Sequence, residues 1–277
     1  MKRYRILNVD FDTRANILTL PIKDEWREDV KDLWKKNKEQ VRDGLIDTFG
    51  ARFSENKIKN FLELGPRPIS VVAFHNIFFE QVRISFVMGS YYPALTGCCA
   101  LGERVLNHLI LLLRDDHRFT IEYKNVYRKD SFDNWDIVID TLSAWNVLLP
   151  EAVDKFRELM DKRNDAIHFR PDTDTNDRRL ALEAIRCLQD IIGIQFSGFG
   201  LHPWFITGIP GEIYIKKSWE SQPFINKVYL PNGVLVGSHH KVESVRPRLD
   251  IKDEFKYEIR EITDDDFVAL RNEYIGK

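Results

Sequence analysis

The sequence predicts a mainly α-helical fold with β-rich terminal parts, in which a central helical bundle lies between a small α/β N-terminal region and a small β-rich C-terminal region. Three observations predict it. Between residues 71 and 199 apolar residues recur at helical spacing almost throughout. Both ends instead contain short β-branched and aromatic runs bounded by turn signals. Finally, 277 residues with 43% hydrophobic content are enough to bury a sizeable core.

Two glycine- or proline-rich runs divide this fold into predicted domains. Gly65-Pro66-Arg67-Pro68 stops a helix and stiffens a connector, because proline restricts both itself and the residue before it. Gly198-Phe199-Gly200 marks the change from helical to β-rich texture. The predicted domains are therefore residues 1–65, 66–199 and 200–277.

The N-terminal region starts with two predicted strands, residues 4–10 and 16–20, which form a hairpin or two edge strands. A long amphipathic helix follows at about 23–49, where tryptophan, valine, leucine and phenylalanine share one face. A second helix is predicted at about 55–64, with Ser54 as its N-cap.

The central region is predicted to contain helices at 74–89, 93–114, 134–147, 150–168 and 176–196. Residues 84–102 carry no charge, which raises the question of a membrane span. Pro93, the glycines and several hydroxyl side chains interrupt that stretch. Two buried helices that meet at an elbow explain it better, so no membrane contact is expected.

The C-terminal region is predicted to be built from short strands. The β-rich runs are 204–207, 212–216, 225–230, 234–236 and 255–262. Pro231-Asn232-Gly233 is a typical hairpin turn. A last helix is predicted at 264–274, where Thr263 and Asp266 form an acidic version of the capping box.

Composition limits the function classes. A formal net charge of -2 excludes a generally basic protein that coats nucleic acid, so any nucleic-acid contact must be local. Three cysteines without zinc-ligand spacing indicate a reducing cytoplasm, and the N-terminal residues contain no apolar segment typical of a secretory signal. The acidic run 172–183 has Asp177 where a calcium loop needs glycine. We therefore expect no metal and no cofactor.

One short run carries the functional information. Within the helix predicted at 150–168, Val153, Phe156, Met160 and Ile167 form an apolar stripe, and Arg163 occupies the position between the last two. A charge on an apolar face costs free energy unless it reaches solvent, pairs with a carboxylate or binds an anion. Arg163 is therefore a candidate site residue.

The motif Arg163-Asn164-x-x-x-His168, in an all-helical setting, resembles the Arg-x(4-6)-His signature of the HEPN superfamily. The resemblance covers roughly residues 71–199. It implies a bundle of four or five helices that forms a homodimer, in which two Arg-His pairs share one cleft. Members with this motif are typically metal-independent endoribonucleases, often toxins or antiviral defence effectors. An RNA substrate is therefore implied, and an antitoxin or regulatory partner is compatible with it.

The residue types suit that chemistry. RNA cleavage without a metal needs a base beside the ribose 2'-OH and a positive charge next to the phosphate oxygens. His168 would be the base, and Arg163, with Asn164 beside it, would supply the positive charge. The products would carry a 2',3'-cyclic phosphate and a 5'-OH. On an ideal helix Arg163 and His168 point about 140° apart. The catalytic hypothesis thus requires either a helix end near Ile167 or a second protomer.

A structural explanation competes with this hypothesis. Arg163 can be one half of a buried ion pair, and Glu103, with Asn107 one turn further on, is the predicted partner and support. The alternative function is then a non-catalytic module that binds a protein or a nucleotide. The basic residues near the motif are candidates for RNA-backbone contacts or a solvated face that Asp172, Asp174 and Asp177 interrupt. These candidates are Lys162, Arg170, Arg178 and Arg179.

Overall fold

The structure, a computed structural model, describes residues 2–4, 12–68, 75–167, 171–197, 202–209, 212–229, 241–244, 250–252 and 263–275. These residues are predominantly helical. The described residues from 75 to 197 contain no strand, so the predicted helical bundle is confirmed. The prediction of β-rich terminal parts is wrong, because helical residues outnumber strand residues among the described residues of both ends.

The helices of the described chain occur in the following order. They are α1 (Arg14–Thr19), α2 (Glu28–Phe49), α3 (Ser54–Leu64), α4 (Asn76–Val87), α5 (Tyr91–Leu113), α6 (Tyr123–Val126), α7 (Trp135–Ala144), α8 (Pro150–Ile167), α9 (Pro171–Phe196), α10 (Lys217–Glu220) and α11 (Asp264–Ile275). A 3-10 turn, Arg114–His117, continues α5. The strands are β1 (Lys2–Tyr4), β2 (Phe205–Ile209), β3 (Glu212–Ile215), β4 (Lys241–Ser244) and β5 (Asp250–Lys252).

The N-terminal region departs from the prediction of a strand at residues 16–20, because residues 16–19 belong to helix α1 and Leu20 is its C-cap. Asp12 begins this helix by accepting a hydrogen bond from the Arg14 backbone N–H at 3.0 Å, and its carboxylate also pairs with the Arg14 side chain at 2.8 Å. Helix α3 begins at Ser54, so Phe53, with a φ of 58°, precedes the helix and Ser54 is not its N-cap. The predicted strand 4–10 falls mostly outside the described residues.

Short strands from both ends of the chain form one small sheet. Its order is β1-β3-β2, with antiparallel pairing throughout, and β4 pairs with β5 in a separate ladder. The predicted strand 225–230 is instead a π-helical turn over Ile225–Tyr229, and Ile225 and Tyr229 are fully buried there. The predicted runs 231–236 and 255–262 lie outside the described residues. The capping box before α11 is confirmed, because the Asp266 backbone N–H donates to Thr263 Oγ1 at 3.1 Å.

Helix α5 is the centre of the bundle and packs against α4, α7, α8 and α9. It meets α4 at an elbow whose Gly89 has a φ of 85°, so the predicted elbow between two helices is confirmed, although α4 buries only one face. Residues Tyr91–His117 are long and apolar enough to cross a membrane by length and composition alone. Half of their most apolar 18-residue stretch is buried inside the protein. A central bundle helix has the same character.

Helices α8 and α9 form an antiparallel pair. Lys155 of α8 contacts Asp190 of α9 at 3.2 Å, and Lys162 contacts Glu183 at 3.5 Å. An increase of seven residues along α8 thus matches a decrease of seven along α9. The chain therefore reverses direction between the two helices.

The C-terminal end of α3 is fastened to the bundle through its backbone carbonyls. Arg186 Nη2 donates to Glu63 O at 2.6 Å, Gln189 Nε2 to Leu64 O at 3.0 Å and Arg83 Nη2 to Gly65 O at 2.8 Å. These bonds satisfy acceptors that a helix end otherwise leaves unpaired. Helix α3 therefore contacts the bundle directly, and the division into domains at 65/66 stays a prediction.

Candidate functional site

Arg163 lies on α8 and faces the central helix α5. Its Nη2 is 3.3 Å from Glu103 Oε2, and its Nη1 donates to Asn164 Oδ1 at 3.3 Å. Trp135 of α7 donates from its indole Nε1 to the same Glu103 oxygen at 3.1 Å. Glu103 therefore accepts from two helices at once, and the guanidinium is held in a defined position.

Gly102 explains how three helices come this close. A Cβ atom at this position would lie 2.7 Å from Leu159 Cδ2 of α8 and 2.8 Å from Trp135 Cη2 of α7. Only a residue without a side chain lets both neighbours touch α5 at that level. The glycine thus brings the Trp135 ring and helix α8 next to Glu103.

Asn107 supports the site indirectly. Its Nδ2 donates to Phe132 O at 2.9 Å, and its Oδ1 accepts from the Phe132 backbone N–H at 2.6 Å. The same Nδ2 is 3.0 Å from Glu103 O. Asn107 therefore fixes the segment that leads into Trp135, and it makes no hydrogen bond to Arg163.

The Arg163 side chain is 22% exposed, so it is neither enclosed in the bundle nor free in solvent. Its Nε atom is buried and has no hydrogen-bond acceptor among the described residues. Cys99 lies close enough for the Arg163 charge to act on its thiol, yet burial raises the pKa of Cys99 to about 12. The neighbouring thiol is therefore protonated near neutral pH and supplies no nucleophile.

His168, the other half of the motif, lies outside the described residues, as does Arg170. The helices on either side are described: α8 ends at Ile167, and α9 begins at Pro171, is kinked at Asn176 and runs antiparallel to α8 after the kink. Proline inside a continuous helix loses a hydrogen bond and clashes with the preceding turn. The helix end that the catalytic hypothesis requires near Ile167 is therefore compatible with the described helices.

The remaining basic candidates are engaged with acidic side chains. Lys162 lies 3.5 Å from both Glu158 and Glu183. Arg179 pairs with Glu183 at 2.9 Å. Arg178 pairs with Glu63 at 2.7 Å. Their proposed role on an RNA backbone thus requires an exchange of these carboxylates for phosphates.

The structure also brings forward residues that sequence reasoning missed. Trp135 reads as a core residue in sequence, because nothing in its helical pattern shows that its N–H reaches Glu103. Glu63 reads as a solvated charge on α3, and its contact with Arg178 joins residues 115 positions apart. Contacts of that kind depend on helix packing and leave no local signal.

Among the residues that the structure describes, no group of three histidine, cysteine, aspartate or glutamate side chains could hold a metal ion. No protein-family model, curated protein or solved structure matches the chain.

Proposed function

We propose that the protein is a cytoplasmic, metal-independent endoribonuclease of the HEPN type, a toxin or antiviral defence effector, with Arg163 and His168 in its site and Asn164 beside them. The observation that carries this proposal is the setting of Arg163. Glu103 and Trp135 fix the partly exposed guanidinium about one helical turn before the end of α8. A pre-positioned cation is what phosphoryl chemistry needs, since it costs no reorganisation when charge develops.

In the proposed reaction, neutral His168 removes the proton from a ribose 2'-OH. The 2'-oxygen then forms a bond to the adjacent phosphorus, while the bond from phosphorus to the 5'-oxygen breaks and that oxygen takes a proton from water. His168 returns its own proton to the solvent. Arg163 donates hydrogen bonds to the non-bridging oxygens as they gain charge. The products are a 2',3'-cyclic phosphate and a 5'-OH end.

A homodimer is part of the proposal. Helix α4 carries exposed Ile77 and Ile84, and Met88 at its C-cap and Tyr92 of α5 extend this exposed stripe. Exposed apolar stripes on one face of a helix mark interaction surfaces. Helix α5 contacts both α4 and α8, and the proposal is that a second copy seated on this stripe contributes to the cleft that contains Arg163. An antitoxin or regulatory partner would compete for the same surface.

A reducing cytoplasm fits the three cysteines. Cys98, Cys99 and Cys187 are all buried free thiols, and burial raises the pKa of each. Protonated thiols resist oxidation, so these cysteines are suited to remain reduced in the proposed cytoplasmic location.

One observation favours the alternative, a non-catalytic module that binds a protein or a nucleotide. The charge of Arg163 is already balanced by Glu103, as in an ordinary structural ion pair. In that case the Arg163–Glu103 pair holds α8 to α5 and never meets a phosphate.

The deciding experiment compares cleavage with folding. RNA is digested in the presence of a chelator by the wild type, by His168→Ala and by the double variant Arg163→Met with Glu103→Gln, which removes both charges together and leaves no charge unpaired. We expect both variants to lose at least about a hundredfold in rate while their thermal midpoints stay near that of the wild type. Undiminished cleavage by either variant would show that its residue has no catalytic role.

A further inference from the structure

A second arginine lies at the same end of the bundle as the end of α8. In the α8–α9 register set by Lys155–Asp190 and Lys162–Glu183, the level of Ile167 corresponds to Arg178. Arg163 is four residues, about 6 Å along the axis, before that level. Arg178 is therefore the described cation of α9 that lies level with the end of the motif helix.

Arg178 stands on an aromatic and polar platform. Its guanidinium carbon is 5.7 Å from the centre of the Phe86 ring and 5.8 Å from that of Tyr91. Buried Asn60 holds this platform together, because its Nδ2 donates to Tyr91 Oη at 3.1 Å and to Phe86 O at 3.2 Å. The arginine is thus supported from α3, α4 and α5 at once.

The counter-ion of Arg178 is Glu63 of α3, and the contact is of an exchangeable kind. Nη2 donates both to Glu63 Oε2 at 2.7 Å and to Asn60 Oδ1 at 3.0 Å, so one nitrogen makes both bonds. The two-nitrogen fork that binds a carboxylate or phosphate most strongly is therefore not used on Glu63. With 37% of the arginine and 30% of the glutamate side chain exposed, water screens the pair.

The backbone of Glu63 stays fixed while its side chain is able to turn. Arg186 holds the Glu63 carbonyl with hydrogen bonds of 2.6 and 3.2 Å, and Gln189 holds the next carbonyl. Release of Arg178 needs only a rotation of one partly exposed carboxylate. Helix α3 keeps its place, and so does the Asn60 platform under the guanidinium.

We propose that Glu63 is a built-in counter-ion that occupies Arg178, and that a phosphate of single-stranded RNA next to the cleaved one displaces Glu63 and takes a two-point hold on the guanidinium. This inference rests on the proposed ribonuclease function and adds its regulation: the N-terminal helix α3 sets the RNA affinity of the site. The aromatic platform keeps the cation in position during the exchange.

The test measures binding apart from cleavage. The probe is a fluorescein-labelled single-stranded RNA in which every ribose is 2'-O-methylated, so that no 2'-OH is available for attack. Its dissociation constant is measured by anisotropy at several salt concentrations. The proteins are the full-length wild type, Glu63→Gln, Arg178→Gln and the double variant. Glu55→Gln is the matched control, since Glu55 is on the same helix and contacts Arg42 instead.

We expect Glu63→Gln to bind the probe about fivefold more tightly than the wild type, because a competing ion pair of this exposure is worth up to about 1 kcal/mol. Arg178→Gln should make the salt dependence shallower by about 0.7 in log-log slope, the value of one lost phosphate contact to a single strand. Arg178→Gln should bind more weakly, and the double variant should match it. Glu55→Gln should behave as the wild type.

Three results would overturn the inference: equal binding by Glu63→Gln and the wild type, tighter binding that persists in the double variant, or the same gain in Glu55→Gln. Cleavage of unmodified RNA is scored separately. If the predicted binding pattern is found without cleavage, the ribonuclease proposal is contradicted and the counter-ion role of Glu63 is supported. If cleavage is found without the pattern, the ribonuclease proposal is supported and the counter-ion role of Glu63 is contradicted.

Discussion

At the scale of single residues, the candidate site is a matter of balanced charge. Among the described residues, Arg163 and Arg178 each have one carboxylate partner, Glu103 and Glu63, and both pairs are partly exposed. The two pairs differ in support. Trp135 also donates to Glu103, so that carboxylate is bound from two sides, while Glu63 meets a single nitrogen of Arg178. We therefore interpret Arg163 as a cation held in a fixed position and Arg178 as a cation whose carboxylate partner can be exchanged.

His75 provides a pH prediction at this scale. The side chain is 5% exposed and its ring lies edge-on to His108 at 5.4 Å. Burial, together with nearby His108 and Arg104, lowers the pKa of His75 from 6.5 to about 4. As the pH falls below 6.5, His75 becomes protonated in the unfolded chain, whereas in the folded chain it stays neutral until about pH 4. Proton binding therefore favours unfolding in this range.

The stability that neutral His75 contributes is thus fully present above pH 6.5 and is lost as the pH falls towards 4. We expect a loss of about 2 kcal/mol from this residue after allowance for solvent screening. Urea unfolding at pH 7.5 and pH 4.5 measures it. In His75→Gln the difference between the two pH values should shrink by that amount, and an unchanged difference would show that His75 does not titrate as described.

At the scale of helices, the contact of α5 with α7 and α8 depends on Gly102. The Cβ of an alanine there meets the tip of Leu159 and the rigid Trp135 ring within 3 Å, so the ring has to move. That movement disturbs the Trp135 hydrogen bond to Glu103. We expect Gly102→Ala to cost about 1–3 kcal/mol of unfolding free energy, as overpacking does, despite its better helix propensity.

Gly44 is the matched control for that prediction. It lies within helix α2, and a Cβ at this position meets nothing within 4 Å. Gly44→Ala should therefore stabilise the protein by about 0.5–1 kcal/mol, because alanine loses less backbone entropy in a helix. Urea unfolding of both variants gives the comparison, and a change of the same sign in both would refute the packing argument.

The helices also show what sequence reasoning can reach. Apolar spacing over ten or more residues predicted α2, α5, α8 and the greater part of α9, because the 3.6-residue period is unambiguous at that length. Residues 16–19 and 225–229 were wrong as strands, since the few apolar residues of so short a run fit both periods and packing decides between them.

The candidate site follows the same division. Glu103 was predictable as the partner of Arg163, because a lone carboxylate among apolar neighbours of one helix complements a lone cation on another. Trp135 and Glu63 were not, because their contacts arise only when α7 and α3 pack against the bundle. The functional assignment itself stays a prediction.

At the scale of the whole molecule, the open question is what covers α4. Its exposed apolar residues Ile77, Ile84 and Met88 lie at helical spacing, and the uncharged stretch 84–102 continues into α5. Ala100 and Arg104 of α5 are also exposed, three residues before and one residue after Glu103. The homodimer proposal predicts that this face is the contact between the two copies.

Ile84 lies in the middle of that stripe, so a charge there has no short route to solvent once a second copy covers it. We expect Ile84→Arg to convert a dimer into a monomer, as judged by light scattering after gel filtration, and to reduce RNA cleavage in parallel, since an unpaired charge at the centre of an interface is strongly unfavourable. Leu33→Arg on α2 is the control, because Leu33 is 66% exposed and lies outside the stripe. That variant should remain dimeric and active. A wild type that is monomeric at cleavage-competent concentrations would contradict the composite site, and the Arg163 and His168 of a single chain would then have to act together.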